Sequence, residues 1–282
     1  MKGLLLAVSL LAGAITGHNT WQRQIIGAEQ DHSLAQEGSD CEHFYSTTFT
    51  SFPVQIDDQE QRELPLTNIE QLHVVTGQEG SVSIRGWNKP FARLIVCRHA
   101  VGQTREQTRR ILESITVSHA EGEIVAHGPD LDETQAWWAN VILYVPRKTN
   151  IDVHAANGGV AIRNVEGHVT ASATRGGISV AQSTGRYDIT TQSGGITLDR
   201  VSGRVSAASH EGPIALKLAP PDVPSLEVKA ERTGDIVCRL DACGNRGAST
   251  WTANRRLLRI GGGAPDYRLS TTGARILIDY LR

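Results

Sequence analysis

Aromatic residues make up only 5% of the 282 residues, and there is a single methionine. Such a composition suits many turns and slender strands more than aromatic-lined pockets. No charge of either sign dominates: 28 Lys and Arg face 30 Asp and Glu, a net charge of -2. That balance excludes a general polycation for nucleic acid or an anionic bilayer. Four cysteines are too few to hold a chain of this length together by disulfides alone. Beyond the first residues no apolar run is long enough to span a bilayer.

What the chain does have is glycine, 28 residues of it. At its start Lys2 precedes the apolar run Leu4 to Ala12 and the small residues Gly13-Ala14-Ile15-Thr16-Gly17. This order predicts a secretory signal peptide over residues 1–16, cleaved near Ala14 or Thr16. Ala14 stands where a lipoprotein needs cysteine, so no lipid anchor is expected. The expected location is extracytoplasmic, periplasmic or secreted, where disulfides persist. Cys41, Cys97, Cys238 and Cys243 allow three pairings; proximity favours Cys238–Cys243, and elimination then gives Cys41–Cys97. Their spacing is no metal knuckle, so neither a metal nor another cofactor is expected.

Residues 17–40 are polar and aperiodic, a flexible leader. Residues 41–150 alternate in short apolar runs punctuated by Gly, Asn and Pro, which predicts a β-rich part. Its one helical stretch is 104–115, where Ile111, Leu112 and Ile115 share a face.

From Gly158 a strict step of nine appears: glycine at 158, 167, 176, 185, 194, 203 and 212, each followed two and four places later by residues such as Val160 and Ile162 or Ile196 and Leu198. Each unit reads as one strand and one tight turn. The units alternate, because Gly158-Gly159, Gly176-Gly177 and Gly194-Gly195 are double, whereas Gly167, Gly185 and Gly203 are single and followed by His168, Arg186 and Arg204. The period is then eighteen, two strands per coil, and predicts an all-β, β-solenoid or β-roll-like architecture over 151–282. An antiparallel meander of nine-residue hairpins is the alternative. Residues 41–282 can form one continuous domain. The register breaks at Ala219-Pro220-Pro221-Asp222-Val223-Pro224, and the last runs, Tyr267 to Ser270 and Ile276 to Ile278, are expected to cap the open end.

Gly80-Ser81-Val82-Ser83-Ile84-Arg85-Gly86-Trp87, the Val145-Pro146 exit, the Asn157-Gly158-Gly159 repeat and Ile260-Gly261-Gly262-Gly263 together resemble a secreted, mainly bacterial β-strand-repeat family of unknown function. It carries the label of putative adhesin or auto-transporter-head-like domain. The resemblance spans residues 68–282 and implies a β-solenoid or β-roll-like fold outside the cytoplasm; it supplies no catalytic residues.

The turns lack the recurrent aspartate of calcium-binding rolls. Asp188 and Asp199 face outward by register and Asp152 precedes the first unit, but they do not stack at an eighteen-residue step; their convergence in one groove would mark a polysaccharide-active enzyme. A flat face of Thr170, Ser179, Thr197 and Ser206 would instead mark binding or scaffolding. Ser209-His210-Glu211 is contiguous and so unsuited to a hydrolytic triad. One of Trp137 and Trp138 must be core in an alternating strand. No Lys-Ser or Lys-Thr follows Gly263, which excludes a phosphate loop. The candidate ligand-binding set is His168, Arg186 and Arg204, predicted to stack along one edge and to share a carboxylate or an anionic ligand. The reading is an exported cell-envelope scaffold or adhesin-like recognition protein without catalysis, with an acidic glycan, lipid headgroup or envelope protein as partner and no nucleic acid. An enzyme on the same scaffold is the alternative.

Overall fold

The computed structural model describes residues 41, 52–66, 69–76, 80–132, 134–220, 223–244, 249–251 and 256–281. The predicted signal peptide and leader lie outside them. The chain divides into two compact units, Met1–Ser46 and Thr47–Arg282. Every described strand and helix belongs to the second.

That unit is all-β, a single hydrogen-bonded sheet curled on itself around one apolar core. Its inner part comprises β8 (Asn150–Ala155), β9 (Val160–Arg163), β10 (Glu166–Ala173), β11 (Ile178–Thr191), β12 (Ile196–Ser209) and β13 (Ile214–Leu218). These strands pair in parallel at an offset of eighteen: Val169 with Tyr187, Tyr187 with Val205, Ile178 with Ile196, and Ile196 with Ile214. Antiparallel hairpins are thereby excluded for this stretch. The long strands β11 and β12 each bend once, so the strands form two rows. The first row runs through β8, β10 and the second halves of β11 and β12; the second runs through β9, the first halves of β11 and β12, and β13.

Alternation explains which residues enter the core. Val169, Ala171, Ile178, Val180, Ile189, Ile196, Leu198 and Val205 are all at most 1% exposed, and alternate residues such as Thr170 and Thr197 are partly exposed on the other face. Fully burying each large aliphatic side chain is worth about 1.5–3 kcal/mol, and no single pair of strands can do this alone.

The recurrent glycines share one cause, and some of them have a second. A Cβ on Gly194 would run into the carbonyl of Gly176 and lie 2.7 Å from Gly177 N, so the double-glycine turns are set by the close approach of stacked backbones. Gly203 meets the same close approach, a Cβ there running into the Gly185 carbonyl, and in addition adopts φ +100, which disfavours any side chain. The bends between the two rows carry no glycine: Asn164, Gln182 and Arg200, eighteen apart, take φ 57, 51 and 51. Inward hydroxyls close the turns, Thr191 and Ser209 both donating to the Gly194 carbonyl, at 2.6 and 3.1 Å.

The parallel ladder reaches further than the step of nine. β2 (Gln71–Thr76) pairs with β8, and β3 (Val82–Trp87) pairs with β9. Outside them lie β6 (Glu123–His127) on β2 and β7 (Ala136–Pro146) on β3. β5 (Thr116–Ala120) flanks β6, while β4 (Ala92–Gly102) and then β1 (Val54–Leu64) extend the second row antiparallel. The predicted helix is α1 (Arg105–Ser114), capped by Thr104, whose hydroxyl accepts from Gln107 N, and it buries Ile111 and Leu112.

At the other end the expected cap is corrected. β18 (Tyr267–Thr271) and β19 (Arg275–Tyr280) do not lie outermost; they pair with β12 and β13 on one side and with β14 (Leu226–Ala230) and β15 (Asp235–Cys238) on the other. The earlier segment is the outer layer, extended by β17 (Leu257–Ile260) and β16 (Ser249–Trp251), because the strands that follow the proline segment pair with the returning β18 and β19 and not with β12 and β13. The short helix α2 (Asp241–Gly244) follows β15, and a Cys238–Cys243 disulfide with Cα atoms 6.2 Å apart ties the two together.

Candidate functional site

On the outer face of the first row, His168, Arg186 and Arg204 stand opposite one another on β10, β11 and β12. In-register strands bring side chains of like position to a spacing of about 4.8 Å, so three cationic or titratable groups are set in file. Two of them share a carboxylate. Asp188 Oδ2 accepts from Arg186 Nε at 3.0 Å and lies 3.2 Å from His168 Nε2. Burial raises the Asp188 pKa, but the bonds and charges of Arg186 and His168 outweigh it and hold the carboxyl below its usual range. The His168 backbone N–H is fixed separately by Asn150 Oδ1 at 3.0 Å. Arg204 is exposed and has no ion-pair partner among the described residues.

A second polar network lies beside the first. Asp152 sits between two imidazoles, 3.3 Å from His73 Nδ1 and 3.0 Å from His154 Nε2, and His154 Nδ1 contacts Ser172 Oγ at 2.5 Å. The outward histidines on β2 and β8 produce this, a cross-strand relation invisible in the linear order. Among the described residues no cluster of His, Cys, Asp or Glu is arranged to hold a metal.

The remaining candidates separate. Asp152 and Asp188 share a line on the first row through Thr170, whereas Asp199 is on the second row, paired with Arg200 at 3.0 Å. The three carboxylates form no common groove. The Thr and Ser residues divide the same way: Thr170 and Ser206 lie on the first row, Ser179 and Thr197 on the second. Ser209 is buried at the end of β12, accepting from Gly212 N at 2.9 Å, while His210 and Glu211 are exposed. Trp137 is core at 9% exposure, and Trp138 packs outside with its ring 5.1 Å from that of His99. No helix among the described residues is long and apolar enough to cross a membrane.

The sequence matches no protein-family model and no curated protein. Three solved structures show a distant likeness. A putative cell adhesion protein from Clostridium sporogenes is 8% identical, with a TM-score of 0.43 over 80% of this chain and all of its own. A putative adhesin from Bacteroides fragilis is 12% identical, with a TM-score of 0.31 over 79% of this chain and 97% of its own. A putative lipid binding protein from Parabacteroides distasonis is 9% identical, with a TM-score of 0.32 over 80% of this chain and 97% of its own. At these values the likeness carries no argument about what this chain binds.

Proposed function

We propose that this chain is an exported cell-envelope recognition scaffold without catalytic chemistry, built as a short β-solenoid of eighteen-residue coils. On this reading residues 1–16 are removed on export, the adhesin-like repeat family is its kin, and Cys41–Cys97 is the second disulfide beside Cys238–Cys243. The observed disulfide supports an oxidising compartment.

The observation that carries the reading is the file of His168, Arg186 and Arg204, with Arg204 left without an ion-pair partner among the described residues. Asp188 neutralises part of the file and leaves the outer guanidinium nitrogens of Arg186 together with Arg204 to face an anionic group on a glycan, a lipid headgroup or an envelope protein. Asp199 lies on the other row from Asp152 and Asp188, so the shared groove that would have favoured the enzyme alternative lends it no support.

The test is crosslinking in intact cells of the mature chain and of an Arg186→Ala/Arg204→Ala variant, with captured components identified by mass spectrometry. A specific partner lost in the variant is the expected result; equal labelling of both forms refutes the file as a recognition element.

A further inference from the structure

A second basic surface lies on the outer face of the other row, toward its β1 end. Arg93, Tyr144, Arg85 and Arg163 stand opposite one another on β4, β7, β3 and β9, so three guanidinium groups and a phenol occupy four successive strands. Beyond Arg163 the same line continues through Ala181, Asp199 and Lys217 and loses its uniform sign. Glu63 lies 3.6 Å from Arg93 and offsets one charge.

Trp87 organises these cations. Its indole N–H donates to the Phe91 carbonyl at 2.8 Å, and its ring meets Phe91 edge-on at 5.1 Å and Tyr144 at 5.3 Å. Lys89 Nζ lies 4.8 Å from the centre of that ring, and the Arg93 guanidinium 5.2 Å from it. Arg85 sits 5.7 Å over Tyr144 and donates to its hydroxyl at 3.1 Å. Cations resting on ring faces lose less freedom when an anion arrives than cations on free stems. Arg85 and Lys89 are exposed, and Trp87 and Tyr144 are half-buried.

We propose that this surface binds an acidic polysaccharide of the hexuronate type. Repeated carboxylates on an extended chain suit cations repeated across the strands: Arg85 and Arg163 stand one strand step apart, Arg93 stands two steps from Arg85 across Tyr144, and a guanidinium fork holds a carboxylate. A sheet face, unlike an enclosed pocket, suits a polymer lying across it. A bilayer fits less well, because interfacial anchoring needs aromatic rings that project, and these are held half-buried beneath their cations. The inference stands apart from the His168 file, which lies on the other row.

The experiment is calorimetric titration of the full mature chain with a short oligogalacturonate at low ionic strength, with a neutral malto-oligosaccharide and anionic phosphatidylglycerol vesicles as comparators. Arg85→Gln/Lys89→Gln is expected to weaken oligogalacturonate binding about tenfold or more. Arg186→Gln/Arg204→Gln should leave it unchanged, and added salt should weaken it in the unaltered protein. Lys89→Glu, a single exposed change, provides the same readout should the double variant lose its melting transition. The proposal is overturned by equal affinity in the Arg85/Lys89 variants, by equal binding of the neutral sugar, by loss confined to the Arg186/Arg204 variant, or by binding to vesicles without binding to oligogalacturonate.

Discussion

Replacing Gly194 by alanine adds one methyl group where two stacked turns touch. The new Cβ would lie 2.7 Å from Gly177 N and closer still to the Gly176 carbonyl, against 3.4 Å for ordinary contact. The backbones must therefore part by at least about 0.7 Å, and by more along the carbonyl, where a close-packed interior has no slack. Overpacking of this kind costs about 1–3 kcal/mol. The same movement pulls on Gln192 N to Ala173 O and Ser193 N to Thr174 O, both 3.1 Å, and each bond lost removes about 1 kcal/mol. A total near 4 kcal/mol is expected, a large share of the stability of about 5–15 kcal/mol usual for a domain. Gly194 has no positive φ, so the effect is steric rather than conformational. The measurement is urea unfolding followed by circular dichroism, with Gly262→Ala as comparator, since nothing lies within 4 Å of that site. A loss below about 1 kcal/mol for Gly194→Ala, or an equal loss for both variants, would refute close backbone stacking as the reason for the glycines.

Burial pushes the hydroxyls of Tyr187 and Tyr267 up to about 12. Only the unfolded chain ionises above its ordinary value, so the stability they confer is complete below pH 10 and declines as pH rises toward 12. Tyr187→Phe loses the 2.8 Å bond to the Val165 carbonyl, should cost about 1–2 kcal/mol at neutral pH, and should flatten the alkaline fall in Tm; an unchanged slope would count against this. Cys238→Ser/Cys243→Ser opens a loop with a sequence separation of 5 and should lose about 2 kcal/mol in denaturant titration, with reductant giving the same shift in the unaltered protein. Asp188→Asn should remove an acid-side dependence: the depressed carboxyl stabilises the fold above its ordinary pKa of 3.8, and that contribution is lost as pH falls below it. With the Asp188 side chain 37% exposed, the change at neutral pH should stay under about 1 kcal/mol, and a larger one would mean the cluster bears on the core.

The eighteen-residue pairing from Gly158 to Leu216 was legible because a side-chain-free contact every nine residues leaves an unmistakable mark, and the outward position of His168, Arg186 and Arg204 followed from it. The extension of the same ladder to Val82 and Leu72 was not. There the neighbours are joined by backbone bonds across a sequence separation of 78 or 79, and no local period records them. The corners at Asn164, Gln182 and Arg200 were hidden for the opposite reason, since three different side chains satisfy one backbone conformation. Asp188 as the shared carboxylate could be anticipated only as a need for some anion near the cations. The cluster around Trp87 needed Tyr144 from a strand far away in sequence, which a linear reading places in a separate run.

The interleaving of the last strands has a mechanical consequence. Tension entering the chain at Leu281 reaches β19 first, which lies between β13 and β15. Pulling along a strand hydrogen-bonded on both sides loads two parallel ladders in shear, so many bonds share the force, whereas an outermost strand would unzip one bond at a time. The opposite side of the fold repeats the device, β2 and β3 being held between the β6–β7 layer and the β8–β9 layer. Resistance to shear is therefore concentrated in these interleaved strands, whereas β1, which pairs with β4 alone among the described strands, can peel away one bond at a time.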